Sequence, residues 1–174
     1  MILHACQNKP ARFDKVHLSS PKFFKVDQIP PKIKNILIKY GFYDGVKKYS
    51  TNIVFLSRPE RTPNIIDDQL ATIDYHSKTI FIKRSSFDDL HPIENAAVLL
   101  HEADHLRTQH SLSSYKDGER ITYAFERTFF EALNNNPEDF SEAERNYIKK
   151  MISFLNNAIS QDNFKNPPPK APGG

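Results

Sequence analysis

The chain reads as an α+β domain, a small twisted sheet of about three strands packed on three or four helices. Short β-rich apolar runs occupy its first half, at Asn52–Leu56, Ala71–Tyr75 and Thr79–Lys83. Longer segments with apolar residues at helical spacing fill the second half, from Ile93, Glu119 and Ser141 onward. Length sets the number of units: 174 residues suffice for one domain with a real core and are few for two.

Residues 1–20 carry no sustained period and read as a flexible N-terminal arm, leaving 21–163 as the folded domain. Pro30-Pro31 opens a short amphipathic helix through Tyr40, with Ile33, Ile36, Leu37 and Tyr40 on one side and Gly41 as its stop. Asn52–Leu56 is continuously apolar and predicts a buried strand. Arg58 to Asp68, holding Pro59 and Pro63, is a loop. The runs 71–75 and 79–83 flank His76-Ser77-Lys78, the pattern of a hairpin. Pro92 suits the first turn of the next helix, which continues to about Gln109 without another Pro or any Gly. Ile93, Ala96, Ala97, Leu99 and Leu100 make that helix apolar over much of its circumference, so it should be central and buried. Ser111 to Gly118 reads as a polar loop, and a helix follows from Glu119 to about Leu133, ended by Asn134-Asn135-Asn136-Pro137. A last helix, Ser141 to about Ile159, opens with a capping box of Ser141 and Glu144. The end, residues 164–174, is Pro-rich and reads as a disordered tail.

With 39% hydrophobic and 26% charged residues, the composition is that of a soluble globular protein rather than a disordered or membrane chain. No apolar run approaches the roughly 18 residues of a transmembrane segment. The net charge is only +3, with Lys and Arg interspersed among carboxylates, which argues against a nucleic-acid surface. Cys6 is the sole cysteine, so an intrachain disulfide and a Cys-rich zinc knuckle are both excluded. Leu3-His4-Ala5-Cys6 resembles the end of a bacterial lipoprotein signal, although the apolar segment that precedes such an end is missing. As written the chain is expected to be soluble. A lipid anchor at Cys6, on a bacterial envelope protein, requires translation to begin upstream; the alternative is a lone thiol in a frayed terminus.

The chemistry concentrates in His101-Glu102-Ala103-Asp104-His105, on the central helix. Residues four apart on a helix lie one turn above each other, about 40° apart around the axis, so both imidazoles can reach one metal ion. Glu102, beside the first histidine, can point at a water on that ion. This is H-E-x-x-H, in which two His bind zinc and the Glu serves as general base. A third protein ligand is needed, and His110, Glu119 and Glu126 follow. On a continuing helix His110 is rotated about 140° from His105 and cannot reach the same ion. Ser111 stands where the metzincin pattern would require a histidine, which excludes that pattern. A following helix running back antiparallel could deliver Glu119 or Glu126, which share a face two turns apart with Tyr123 between them; spacing leaves both open.

The order strand, hairpin, H-E-x-x-H helix, loop and Glu-bearing helix resembles the gluzincins, in which a Glu from a following helix completes the zinc site. Within that group, His101–His105 with His110, and then Glu119-Arg120-Ile121-Thr122-Tyr123-Ala124-Phe125, are similar to small ImmA/IrrE-type peptidases over roughly residues 70–133. The resemblance implies a zincin-like fold, a Zn²⁺ cofactor and Glu119 as third ligand. Thr122 and Tyr123 stand where Ala and Asn or Asp are usual, and Ala103 and Asp104 also depart from the usual motif.

The expected function is a zinc-dependent peptidase acting on protein or peptide, with an edge strand of the hairpin available for pairing with an extended substrate. The alternatives are a non-catalytic metal-binding or protein-interaction module, and hydrolysis of a non-protein bond such as one in cell-wall material. Asp104 is expected to pair with Arg107 on a solvated helix face. Tyr75 and Tyr123 read as core residues, Tyr123 alternatively as a hydrogen-bond donor to a tetrahedral intermediate. His4, His17, His76 and His91 read as surface or capping residues.

Overall fold

The computed structural model describes residues 22–25, 28–56, 70–108, 115–164 and 166–172. The arm 1–20 with Cys6, the loop 58–68 and His110 lie outside the described residues. Four strands, β1 (Lys22–Lys25), β2 (Asn52–Leu56), β3 (Ala71–Asp74) and β4 (Thr79–Lys83), form one sheet in the order β1-β2-β4-β3. The central pair is parallel, with Ile53 opposite Ile80 and Phe55 opposite Ile82, and both outer strands pair antiparallel. Central parallel strands are covered on both faces, which explains why β2 and β4 are apolar runs rather than alternations. Ile53, Phe55, Ile80 and Ile82 enter the main core, whereas Val54, Leu56 and Phe81 are buried on the opposite face. The expected hairpin is present, and its turn is tied by Asp74, whose carboxylate accepts the His76 and Ser77 amides at 3.1 and 3.3 Å. Tyr75 sits on that turn, 42% exposed, so the expectation of a core residue is corrected there. β1 adds a strand to the three that were expected; four residues are too few for a periodic signal.

The helices are α1 (Pro31–Lys39), α2 (Tyr43–Tyr49), α3 (Arg84–Asp88), α4 (Pro92–Thr108), α5 (Tyr115–Asn134) and α6 (Glu142–Gln161). α1 starts on Pro31 and stops at Gly41, whose φ of 80° is the left-handed turn of a Schellman end. There the Phe42 amide donates to the Leu37 carbonyl and the Gly41 amide to Ile38. The short helices α2 and α3 were not expected; α2 carries Gly45, a poor helix former, and α3 is barely more than one turn.

α4 is the hub. It touches α1, α2, α5 and strands β3 and β4, and every residue from Ile93 to Leu106 is buried. Its N-terminus is capped by His91, whose Nδ1 accepts the Ile93 amide at 3.3 Å while the His91 amide donates to Glu94. The His91 Nε2 lies 3.3 Å from Glu144 of α6, so this histidine is a cap, as expected. α5 begins one turn earlier than the Asp117-Gly118 pair suggests. Asp117 in the first turn interacts favourably with the helix dipole and helps to offset the ~1 kcal/mol that Gly118 costs within a helix. α6 opens with the full Ser141 and Glu144 capping box. The segment expected to be a disordered tail makes contacts with the body: Phe164 is buried against Tyr123, and the Ala171 amide donates to the buried Glu94 carboxylate at 3.1 Å. No helix among the described residues is long and apolar enough to cross a membrane.

Candidate metal centre

α4 and α5 run antiparallel, as their cross-contacts show: His101 meets Glu126, while Asp104 and His105 meet Thr122. This register brings three donors together. His105 Nε2 lies 3.1 Å from His101 Nε2 and 3.3 Å from Glu119 Oε1, and His101 Nε2 lies 3.8 Å from Glu119 Oε2. Among the described residues these three form a group whose ligand atoms all fall within 4.8 Å of one another.

Glu119 and Glu126, which spacing alone left equivalent, occupy different positions. Glu119 faces both Nε2 atoms, whereas Glu126 Oε2 sits 3.0 Å from the Nδ1 atom on the far side of the His101 ring. Tyr123, one turn on from Glu119, packs edge-on against the His101 ring with centroids 5.4 Å apart, and is buried as expected of a core residue. The His105 ring is met at Nδ1 by the Thr122 hydroxyl, 3.4 Å away, and that hydroxyl lies 3.3 Å from Asp104 Oδ2. The expected Asp104–Arg107 pair forms at 2.7 Å, but Asp104 is only 2% exposed, which corrects the expectation of a solvated face. It is buried because α5 covers that side of α4.

Comparison of the chain with known protein families, characterised proteins and solved structures finds no match. The meaning of the site therefore rests on its own geometry.

The electrostatics are unusual for a helix pair. Glu102, Glu119 and Glu126 are all buried beside the two imidazoles. Burial pushes the Glu102 carboxyl up, the two imidazoles pull it down, and repulsion from Glu119 and Glu126 raises it further, leaving it above the ordinary range. His101 is driven down by burial, but the Glu126 hydrogen bond and the charges of Glu126, Glu119 and Glu102 outweigh this and hold it at about 9. Among the described residues Glu102 Oε2 is buried without a hydrogen-bond partner. Buried carboxylates in excess of cations are costly, and a divalent cation between the Nε2 atoms and Glu119 would compensate that charge. The donor spacings fit one. A tetrahedral zinc with bonds of ~2.0–2.2 Å separates its ligand atoms by about 3.3–3.6 Å; here the two Nε2 atoms stand 3.1 Å apart, and the Glu119 carboxylate meets His105 Nε2 with Oε1 at 3.3 Å and His101 Nε2 with Oε2 at 3.8 Å.

Sequence reasoning missed Thr122 as part of this site. The signal was present: Glu119, Thr122 and Glu126 recur at helical spacing on a face otherwise occupied by Tyr123, Phe129, Phe130 and Leu133. Three polar side chains on the buried face of a helix call for polar partners across the interface.

Proposed function

We infer that this chain is a zinc-dependent peptidase of the gluzincin type, similar to the small ImmA/IrrE-type enzymes. The reading is carried by the convergence of His101 Nε2, His105 Nε2 and the Glu119 carboxylate within 4.8 Å of one another, with a Glu102 oxygen that has no hydrogen-bond partner among the described residues in the same buried cluster. Two histidines and one glutamate are the donor set of a catalytic zinc, which keeps a further position for water or substrate. Bound there, zinc supplies a Lewis acid that polarises a carbonyl and acidifies water.

The chain's own groups do the rest. Glu126 holds the His101 ring from Nδ1, so that Nε2 presents its lone pair to the ion. Glu102 takes a proton from the attacking water on its free oxygen and returns it to the leaving amine. Burial, the largest cause of the raised pKa of this carboxyl, suits that exchange, since a base that must also release its proton works best nearer neutrality. β3 is the outer strand beside α4, and its outer backbone edge offers an extended peptide a place to pair.

The near-complete burial of all three donors favours a second reading, a structural ion in a non-catalytic interaction module. Metal analysis of the purified protein tests the shared premise. A Co²⁺-substituted sample then separates the two: visible bands that respond to added azide indicate an exchangeable fourth position, and an unresponsive spectrum indicates a closed shell. Protein that takes up no zinc overturns both.

A further inference from the structure

We propose that Thr122 is a positioning residue for His105, linking its imidazole through one hydroxyl to the buried Asp104 carboxylate. The proposal rests on the metal reading above. A histidine that gives Nε2 to a metal must carry its proton on Nδ1, and a buried N–H must have an acceptor. For His101 that acceptor is Glu126, at 3.0 Å. For His105 it is the Thr122 oxygen, at 3.4 Å. A hydroxyl accepts one hydrogen bond while donating another, and the Thr122 hydrogen has Asp104 Oδ2 at 3.3 Å as its acceptor. The other oxygen of Asp104 is taken by Arg107 Nε at 2.7 Å, so Oδ2 is the one left to face α5.

The chain therefore runs from imidazole to hydroxyl, carboxylate and guanidinium, and it gives a role to the acidic residue that precedes the second histidine. The two rings are supported unequally. His101 has a carboxylate in direct contact, whereas His105 receives the same charge at one remove. Removing a group that orients a metal-bound histidine typically weakens the metal about 10- to 100-fold.

The test measures zinc affinity of the full chain by competition with a chelating dye, together with the visible spectrum of the Co²⁺ form. Thr122→Val keeps the shape and removes the hydroxyl; it should bind zinc about 10- to 100-fold more weakly. Thr122→Ser should restore binding to within about threefold of the parent. Asp104→Asn should weaken zinc in the parent and have little further effect in the Thr122→Val background, because the charge reaches His105 through the hydroxyl. If Thr122→Val fails to fold, Thr122→Ser and Thr122→Ala make the same comparison. Equal affinity of the parent and the hydroxyl-free variant overturns the relay and leaves the metal reading standing. An equal cost of Asp104→Asn in both backgrounds also overturns it, by showing that Asp104 acts through space. A parent chain that binds no zinc sinks the relay and the metal reading together.

Discussion

Glu119 and Glu126 are chemically identical and two turns apart on α5, yet their places predict unequal consequences for the same substitution. Glu119 is one of three protein donors around the proposed ion. A structural zinc site of four ligands is worth ~10–16 kcal/mol, so one ligand carries ~3–4 kcal/mol, or roughly 10²–10³ in affinity. Glu126 touches no Nε2 atom; it supports His101 from behind at 3.0 Å. Its loss leaves a buried N–H unpaired, at ~1–3 kcal/mol, in keeping with the about 10- to 100-fold typical of an outer partner. Glu119→Ala should therefore abolish zinc retention through gel filtration, while Glu126→Ala should retain zinc with a weakened Kd. Equilibrium dialysis at fixed pH and ionic strength, followed by elemental analysis, reads both. A stronger loss from Glu126→Ala than from Glu119→Ala would refute the assignment, and full zinc retention in both would move the ion elsewhere.

Glu102→Gln should keep its zinc while peptidase activity on a denatured protein substrate falls about 10²- to 10⁴-fold; loss of the metal would make Glu102 a ligand instead. In chelator-stripped protein, His101 at about 9 lies above its unfolded value of ~6.5. Its stabilisation should thus be full below about pH 6.5 and fade as pH rises through about 9, so the melting-temperature gap between the parent and His101→Asn should narrow across that window. A gap constant from pH 6 to 10 would show that folding leaves the His101 pKa at its unfolded value. Ser141→Ala removes the acceptor for the Glu144 amide and should cost about 1 kcal/mol in urea unfolding, an expectation that an unchanged midpoint would contradict.

What the sequence disclosed follows the range of the forces involved. The H-E-x-x-H pair needs only helical periodicity, so the convergence of His101 and His105 was readable before any tertiary contact was known. The apolar runs of β2 and β4 and the capping box at Ser141 are local in the same sense. The third donor is not local: choosing between Glu119 and Glu126 requires the register of α5 on α4, which depends on where α5 begins. Asp117-Gly118 looks like a loop in isolation, but the turn from Tyr115 is helical and places Glu119 in the second turn of its helix. Asp104 was misjudged for a related reason. Its pairing with Arg107 is set within one helix, whereas its burial is imposed by another. β1, with four residues, and α2, with an internal glycine, carry too little local preference to declare themselves; their partners make them.

All the donors and their supporting groups lie between His101 and Glu126, on two helices separated by only six residues in the chain. Bringing such a pair together requires closure of a short connection, and closure entropy grows with the length of the segment closed. The sheet is assembled differently, because β2 must wait for β4 across 22 intervening residues, from 57 to 78. The polar centre is thus, like the β3–β4 hairpin, a low-contact-order part of the molecule, able to form within one helical hairpin before β2 joins β4. The order of folding would place the most chemically demanding cluster in a unit that closes early, with the parallel pairing at the centre of the sheet added afterwards.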